Sequence, residues 1–231
     1  MSTLKKAIFS WSGGKDSALA LHRILQENEF EIVALLTTID AVSKTSSIHA
    51  IPLNLLEKQA RSLGIPLYPV LLSADKNYEE AMREAAAHFK AQDVHHFIFG
   101  DIFLEEVRAY REKLMQPLDI HLVMPLWGKS SAQVLDLFIA SGIRTKIIVT
   151  QADQLDKEFI GRELDEHFAA SLPKMVDVCG ENGEYHTFAY AGGPFGEPVL
   201  FEITAVSNIS HTFTMDTGET KTFHYWQAEL D

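Results

Sequence analysis

The first 124 residues alternate in character. Short apolar runs (LKKAIFS, EIVALLTT, PLYPVLL, HHFIFG and IHLVMP) are separated by segments of helical pattern at 15–28, 52–63, 77–91 and 103–115. Strands rich in Val, Ile, Leu and Phe that alternate with amphipathic helices point to an α/β fold, a parallel sheet covered on both faces. Right-handed crossovers make such a sheet doubly wound. The segment from Lys15 shows the helical logic: Ala18, Leu21 and Leu25 recur at i, i+3 and i+7, and Leu19 and Ala20 widen the stripe.

Past Pro125 the pattern changes, which places a boundary between residues 1–124 and a smaller α+β unit over 125–231. Here the sequence predicts a helix at 130–141, a strand in TKIIVTQ, a helix at 154–171 and a glycine-rich loop at 180–183. From residue 199 the chain alternates as β-structure. TFTMDTGETKTFHYW reads as a hairpin turning at Asp216 to Glu219, because Thr-Gly is flanked by β-branched and aromatic residues.

Composition excludes several classes. The 231 residues are 46% hydrophobic, ample for a core, and no apolar run approaches the roughly 20 residues that span a bilayer. MSTLKKAIF is followed at once by SWSGGKDS, which is not the pattern of a signal peptide. A single cysteine, Cys179, forms no internal disulfide and suits a reducing cytoplasm, the expected location. A net charge of −12 opposes nucleic acid at long range and weighs against tRNA as substrate.

Between the first strand and the first helix stands Ser12-Gly13-Gly14-Lys15-Asp16-Ser17. Glycines let several backbone N–H groups converge on one point, and the helix dipole adds positive potential there, so the stretch is built to hold an anion, with phosphate as the obvious guest. A Walker A loop needs four residues between its first glycine and the Gly-Lys pair, and none intervene here; the dinucleotide G-x-G-x-x-G pattern is absent too. A plain turn capped by Ser12 has no use for Lys15 and Asp16.

SGGKDS resembles the pyrophosphate-binding loop of the N-type ATP pyrophosphatases. With FGDI at 99–102, Arg108 and Arg111 with Glu112, PLW at 125–127, GREL at 161–164 and DVCGENGEYHTF at 177–188, the order of motifs is similar to the diphthine-ammonia ligase family, over residues 5 to about 195. The resemblance implies a Rossmann-like, HUP-type α/β/α sandwich. It also implies adenylation of a carboxylate by Mg²⁺-ATP, with amidation by ammonia and release of AMP and pyrophosphate. The acceptor of that family is diphthine, a modified histidine on an elongation factor. The chain departs from the family's pattern in GDIFLEEVRAYRE and at Asn182, where the family has glycine.

On that reading Gly13 and Gly14 admit the pyrophosphate, Ser12 and Ser17 donate hydroxyl hydrogen bonds, and Lys15 offsets charge on the leaving oxygens. Asp16 orients the loop or Mg²⁺. His49, in SSIHAIP, flanks the nucleotide in a supporting role, as does Gly100. Asp101, at the end of a strand, holds Mg²⁺ or substrate, or else caps the helix at 103–115. Arg108 and Arg111 share a helical face and either clamp an anion or pair with Glu105 and Glu112 on the surface. Glu181 and Glu184 bind a cation and His186 shuttles a proton from ammonia, unless the loop is merely solvated. Trp127 reads as core and Cys179 as structural. Two other readings stand beside the ligase: a nucleotide-sensing module that binds ATP or AMP without turnover, and a tRNA-thiolating enzyme.

Overall fold

A computed structural model describes residues 4–46, 49–214 and 220–231. Strands β1 (Lys5–Ser10), β2 (Phe30–Asp40), β3 (Leu67–Leu72), β4 (His96–Ile98) and β5 (His121–Val123) form one sheet in the order β3-β2-β1-β4-β5, and every pair is parallel. The connections run through α1 (Lys15–Glu27), α2 (Leu53–Leu63), α3 (Tyr78–Lys90) and α4 (Glu105–Met115).

Alternation along β1 divides the core. Ala7 and Phe9 pack with Leu19 and Leu21 of α1 and Leu55 and Leu56 of α2, whereas Ile8 packs with Met82 and Ala85 of α3 and Leu114 of α4. Helix α5 (Ser131–Ser141) adds Val134 and Phe138 to the first of these faces. The sheet is therefore doubly wound and Rossmann-like, as the alternating runs predict. Strand order reverses at β1, so a crevice opens where β1 and β4 end, the place at which such sheets receive ligands.

The rest of the chain forms an antiparallel sheet of β6 (Arg144–Gln151), β7 (Tyr185–Ala191), β8 (Ile203–Thr214) and β9 (Thr220–Leu230), in the order β7-β6-β9-β8. Phe188 of β7 and Ile147 of β6 share one core with Trp11 and Ile51. The turn expected at Asp216–Glu219 lies outside the described residues, and the strands on either side pair as a hairpin, Thr214 opposite Thr220.

The helix expected at 154–171 does not form. Asp156 caps a single 3-10 turn at 157–159, Gly161 adopts φ +81°, and 161–164 runs back along β6, with Gly161 N–H donating to Ile147 O and Ile147 N–H to Arg162 O. Only Glu166–Ser171 is helical (α6), capped by Asp165. Hydrogen bonds offered by the edge of β6 outcompete a helix that a mid-segment glycine already weakens. No described helix is long and apolar enough to cross a membrane.

Candidate active site

The stretch after β1 is bent by two glycines with different tasks. Gly13 takes φ +82°, and a Cβ there would meet Ile51 at 2.8 Å. Gly14 is extended and stands as N-cap of α1, where a Cβ would press on His49 Nε2 at 3.0 Å and Thr187 O at 3.1 Å. Ser12 and Ser17 hydroxyls lie 3.0 Å apart, and Ser17 Oγ donates to Gly14 O. The N–H of Lys15 donates to Thr187 Oγ1 at 2.8 Å, which ties the start of α1 to β7. Gly100 lets β4 approach equally closely, since its Cβ would lie 3.1 Å from the backbone of Asp16 and Ser17.

This loop borders a cleft of about 680 Å³. Ser12, Lys15, Asp16 and Ser17 face Gly100 and Asp101 from the segment after β4 and Glu181, His186 and Thr187 from β7 and the loop before it. Loop 12–17, Asp101 and the 180–186 segment thus border one cleft.

Lys15 is 6% exposed, and its ammonium contacts Asp16 Oδ2 at 2.6 Å and Glu181 Oε1 at 3.4 Å. Burial opposes its charge, yet the Asp16 carboxylate above all, with Glu181, more than offsets this and raises its pKa. Burial also raises Asp16, against the pull of Lys15. Glu181 is pushed up to about 7 by burial and by Asp16. Asp16 Oδ1 is buried and has no partner among the described residues. A lone carboxylate acceptor beside the glycine loop fits Mg²⁺, which usually takes one or two carboxylates and completes its shell with water and substrate phosphate.

Glu184 departs from its expected role. Its carboxylate is 1% exposed and accepts from Asp177 N–H, Asn182 N–H and the Asn182 side-chain amide at 2.9–3.0 Å. It closes the 177–184 loop from within and does not line the cleft. The loop is thus a folded unit, with Gly180 and Gly183 at positive φ and Tyr185 OH donating to Val178 O. Asn182 supplies an amide that glycine lacks. Cys179 is buried, donates to Ser131 O, and has its thiol pushed up to about 12 by burial, in keeping with the structural reading.

His49 and His186 lie with ring centroids 4.7 Å apart on the cleft wall. Burial and, next, the Lys15 ammonium hold His186 at about 4; burial, and after it the neighbouring His186, also lower His49 well below the ordinary histidine value. Both rings are neutral at pH 7, so each has a nitrogen able to accept a proton.

The cap alternative for Asp101 is not realised. Helix α4 begins at Glu105, its N-cap Leu104 makes no side-chain bond, and both Asp101 oxygens accept from Arg111, Nε at 2.5 Å and Nη2 at 3.1 Å. Arg111 stacks over Phe99 at 4.2 Å and lines the cleft. Arg108 turns away, pairs with Glu112 at 2.8 Å and covers Trp127, which is half-buried. Of the two arginines, only Arg111 is brought to the site. Nothing local marks Thr187 beyond its place in the GENGEYHT string, nor Tyr78 and Tyr110, which also line the cleft.

Fold and site together define a Rossmann-like α/β protein with a glycine loop opening on a polar cleft at the switch point. Residues 5–121, just over half of the chain, match the family described as diphthamide synthase N-terminal domain. The chain belongs to that family. Its relatives include proteins named diphthine-ammonia ligase. The Bos taurus protein is 26% identical over 220 residues, covering 84% of this chain and 82% of its own. The Homo sapiens protein is 25% identical with the same coverage, and the Rattus norvegicus protein is 28% identical over 207 residues, 77% and 75% of the two chains.

Proposed function

We propose that the chain is an ATP-dependent ligase that activates a carboxylate as its acyl-adenylate and amidates it with ammonia, releasing AMP and pyrophosphate. Its proposed acceptor is diphthine on an elongation factor, as the names of its relatives support. The observation that carries the reaction type is the buried Lys15 ammonium, set at the N-terminus of α1 beside Gly13 and Gly14 and facing the Glu181–Thr187 segment across one cleft.

In this reading the loop N–H groups and the helix dipole hold the phosphates, and Lys15 offsets charge on the pyrophosphate as it leaves. Asp16 would hold Mg²⁺, which supplies charge neutralisation on the phosphate oxygens. The Arg111–Asp101 pair orients the wall on which the acceptor sits. His186, neutral and 4.7 Å from His49, takes the proton that ammonia sheds as it attacks the activated carboxyl. Neither nucleic acid nor a membrane has a part in the scheme.

The test is product analysis with Mg²⁺-ATP, ammonia and a panel of carboxylates that includes diphthine-bearing elongation factor. Acceptor-dependent AMP and pyrophosphate are expected. ADP as product overturns the proposal, and tight nucleotide binding with no turnover assigns the cleft to a sensor.

A further inference from the structure

We propose that Gln59, outside the cleft, is a positioning residue: its amide locks the Gly13 carbonyl to strand β7 and thereby aims the Gly14 N–H into the anion loop. Gln59 lies in α2 and is fully buried. Its Oε1 accepts from the Trp11 indole N–H at 2.8 Å, and its Nε2 donates to Gly13 O at 3.0 Å and Ala189 O at 2.6 Å. Each partner has a fixed sign, since an indole N–H only donates and a carbonyl only accepts, so a neutral amide of this reach is the side chain that satisfies all three. A buried amide left unpaired is costly, which makes the three-way contact rigid.

The Gly13 carbonyl is held twice, because Ala189 N–H also donates to it at 2.8 Å. A trans peptide is planar and its C=O and N–H point to opposite sides. Fixing the Gly13 carbonyl toward β7 therefore turns the Gly14 N–H the other way, where Ser12 Oγ on the cleft wall lies 3.3 Å off. The positive φ of Gly13 belongs to the same device, since a Cβ there would lie 3.0 Å from Gln59 Oε1. The shape of the loop is thus set jointly by α2 and by the C-terminal sheet, not by the SGGKDS string alone.

The full chain is measured without ligand by amide hydrogen exchange, as wild type, Gln59→Met, Trp11→Phe and the double variant. Affinity for Mg²⁺-ATP is measured in parallel by calorimetry; only this second readout rests on the proposed function. Loss of the latch is expected to speed exchange of residues 11–17 in Gln59→Met, and to weaken ATP binding, each by roughly tenfold or more, with α3 and β9 unchanged. Trp11→Phe shifts the same peptide in the same direction, and the double variant goes no further than Gln59→Met. Unchanged exchange at 11–17, exchange raised equally everywhere, or strictly additive effects overturns the latch. Should Gln59→Met fail to fold, Trp11→Phe decides alone, faster exchange at 11–17 supporting the latch and wild-type exchange refuting it. If exchange responds while wild type binds no ATP, the latch stands and the nucleotide reading of the cleft falls.

Discussion

Lys15 and Glu181 are 166 positions apart in the chain, and the ammonium of one lies 3.4 Å from the carboxylate of the other. Asp16 completes a group of one buried cation and two partly buried acids. Such a group is held by balance. Removing the cation leaves two carboxylates facing each other in a poorly solvated site, and bringing phosphate in demands a further counter-charge.

Lys15→Met is therefore expected to lower AMP release by about 10²-fold or more, because the charge that faces the leaving pyrophosphate is gone. The fold should persist at reduced stability, since the methionine fills the same space while Asp16 and Glu181 lose their shared counter-charge. Full activity in this variant, measured under saturating ATP, removes the loop from the mechanism.

Glu184→Gln tests the loop rather than the chemistry. The carboxylate accepts three N–H donors, and an amide must present its own NH₂ to at least one of them. A stability loss of about 1–3 kcal/mol follows, with nucleotide affinity and turnover falling together as the 177–184 loop loosens. Denaturant unfolding alongside calorimetry checks this. Unaltered stability with turnover selectively abolished returns Glu184 to a direct role.

The two arginines of α4 separate cleanly. Arg111→Ala leaves Asp101 half-buried without its bidentate partner and should destabilise by on the order of 3 kcal/mol and suppress turnover. Arg108→Ala removes an exposed i,i+4 pair and the cover over Trp127, so it should lower the unfolding midpoint only slightly and leave kcat at the wild-type value. Reversal of this order places the acceptor on the outer face of α4.

His186 gives a pH signature. Its folded pKa is about 4, against an ordinary 6.5, so between those values the unfolded chain binds the proton and the folded chain does not. The stability tied to the neutral ring is complete above pH 6.5 and declines as pH falls toward 4. Compared with wild type, His186→Asn should flatten the fall of the unfolding midpoint across that window. Identical slopes show that the ring titrates as in solvent.

Much of the parallel sheet was legible because its signals are local. A strand buried on both faces reads as an apolar run, a crossover helix repeats its apolar positions at 3.6, and Ser12 to Ser17 carries its own turn and cap. The segment at 154–171 was not legible, because the edge of β6 competes for its backbone and no neighbour in sequence announces that edge.

For the site, sequence by itself determined which residue types are present at the cradle: two glycines that alone allow the close approaches, a lysine to carry charge, and a GENGE loop to face them. Tertiary structure decided which of the paired candidates reach the cleft. Glu181 points to Lys15 while Glu184, three residues on, turns inward to its own loop, and Arg111 finds Asp101 while Arg108 finds Glu112. Gln59 had no local mark at all, since its three partners come from the end of β1, the glycine loop and β7. A residue's type and helical phase are fixed by neighbours a few positions away. The direction of a buried polar side chain is fixed by whichever donor or acceptor must be satisfied beside it, and here those partners lie up to 172 residues distant.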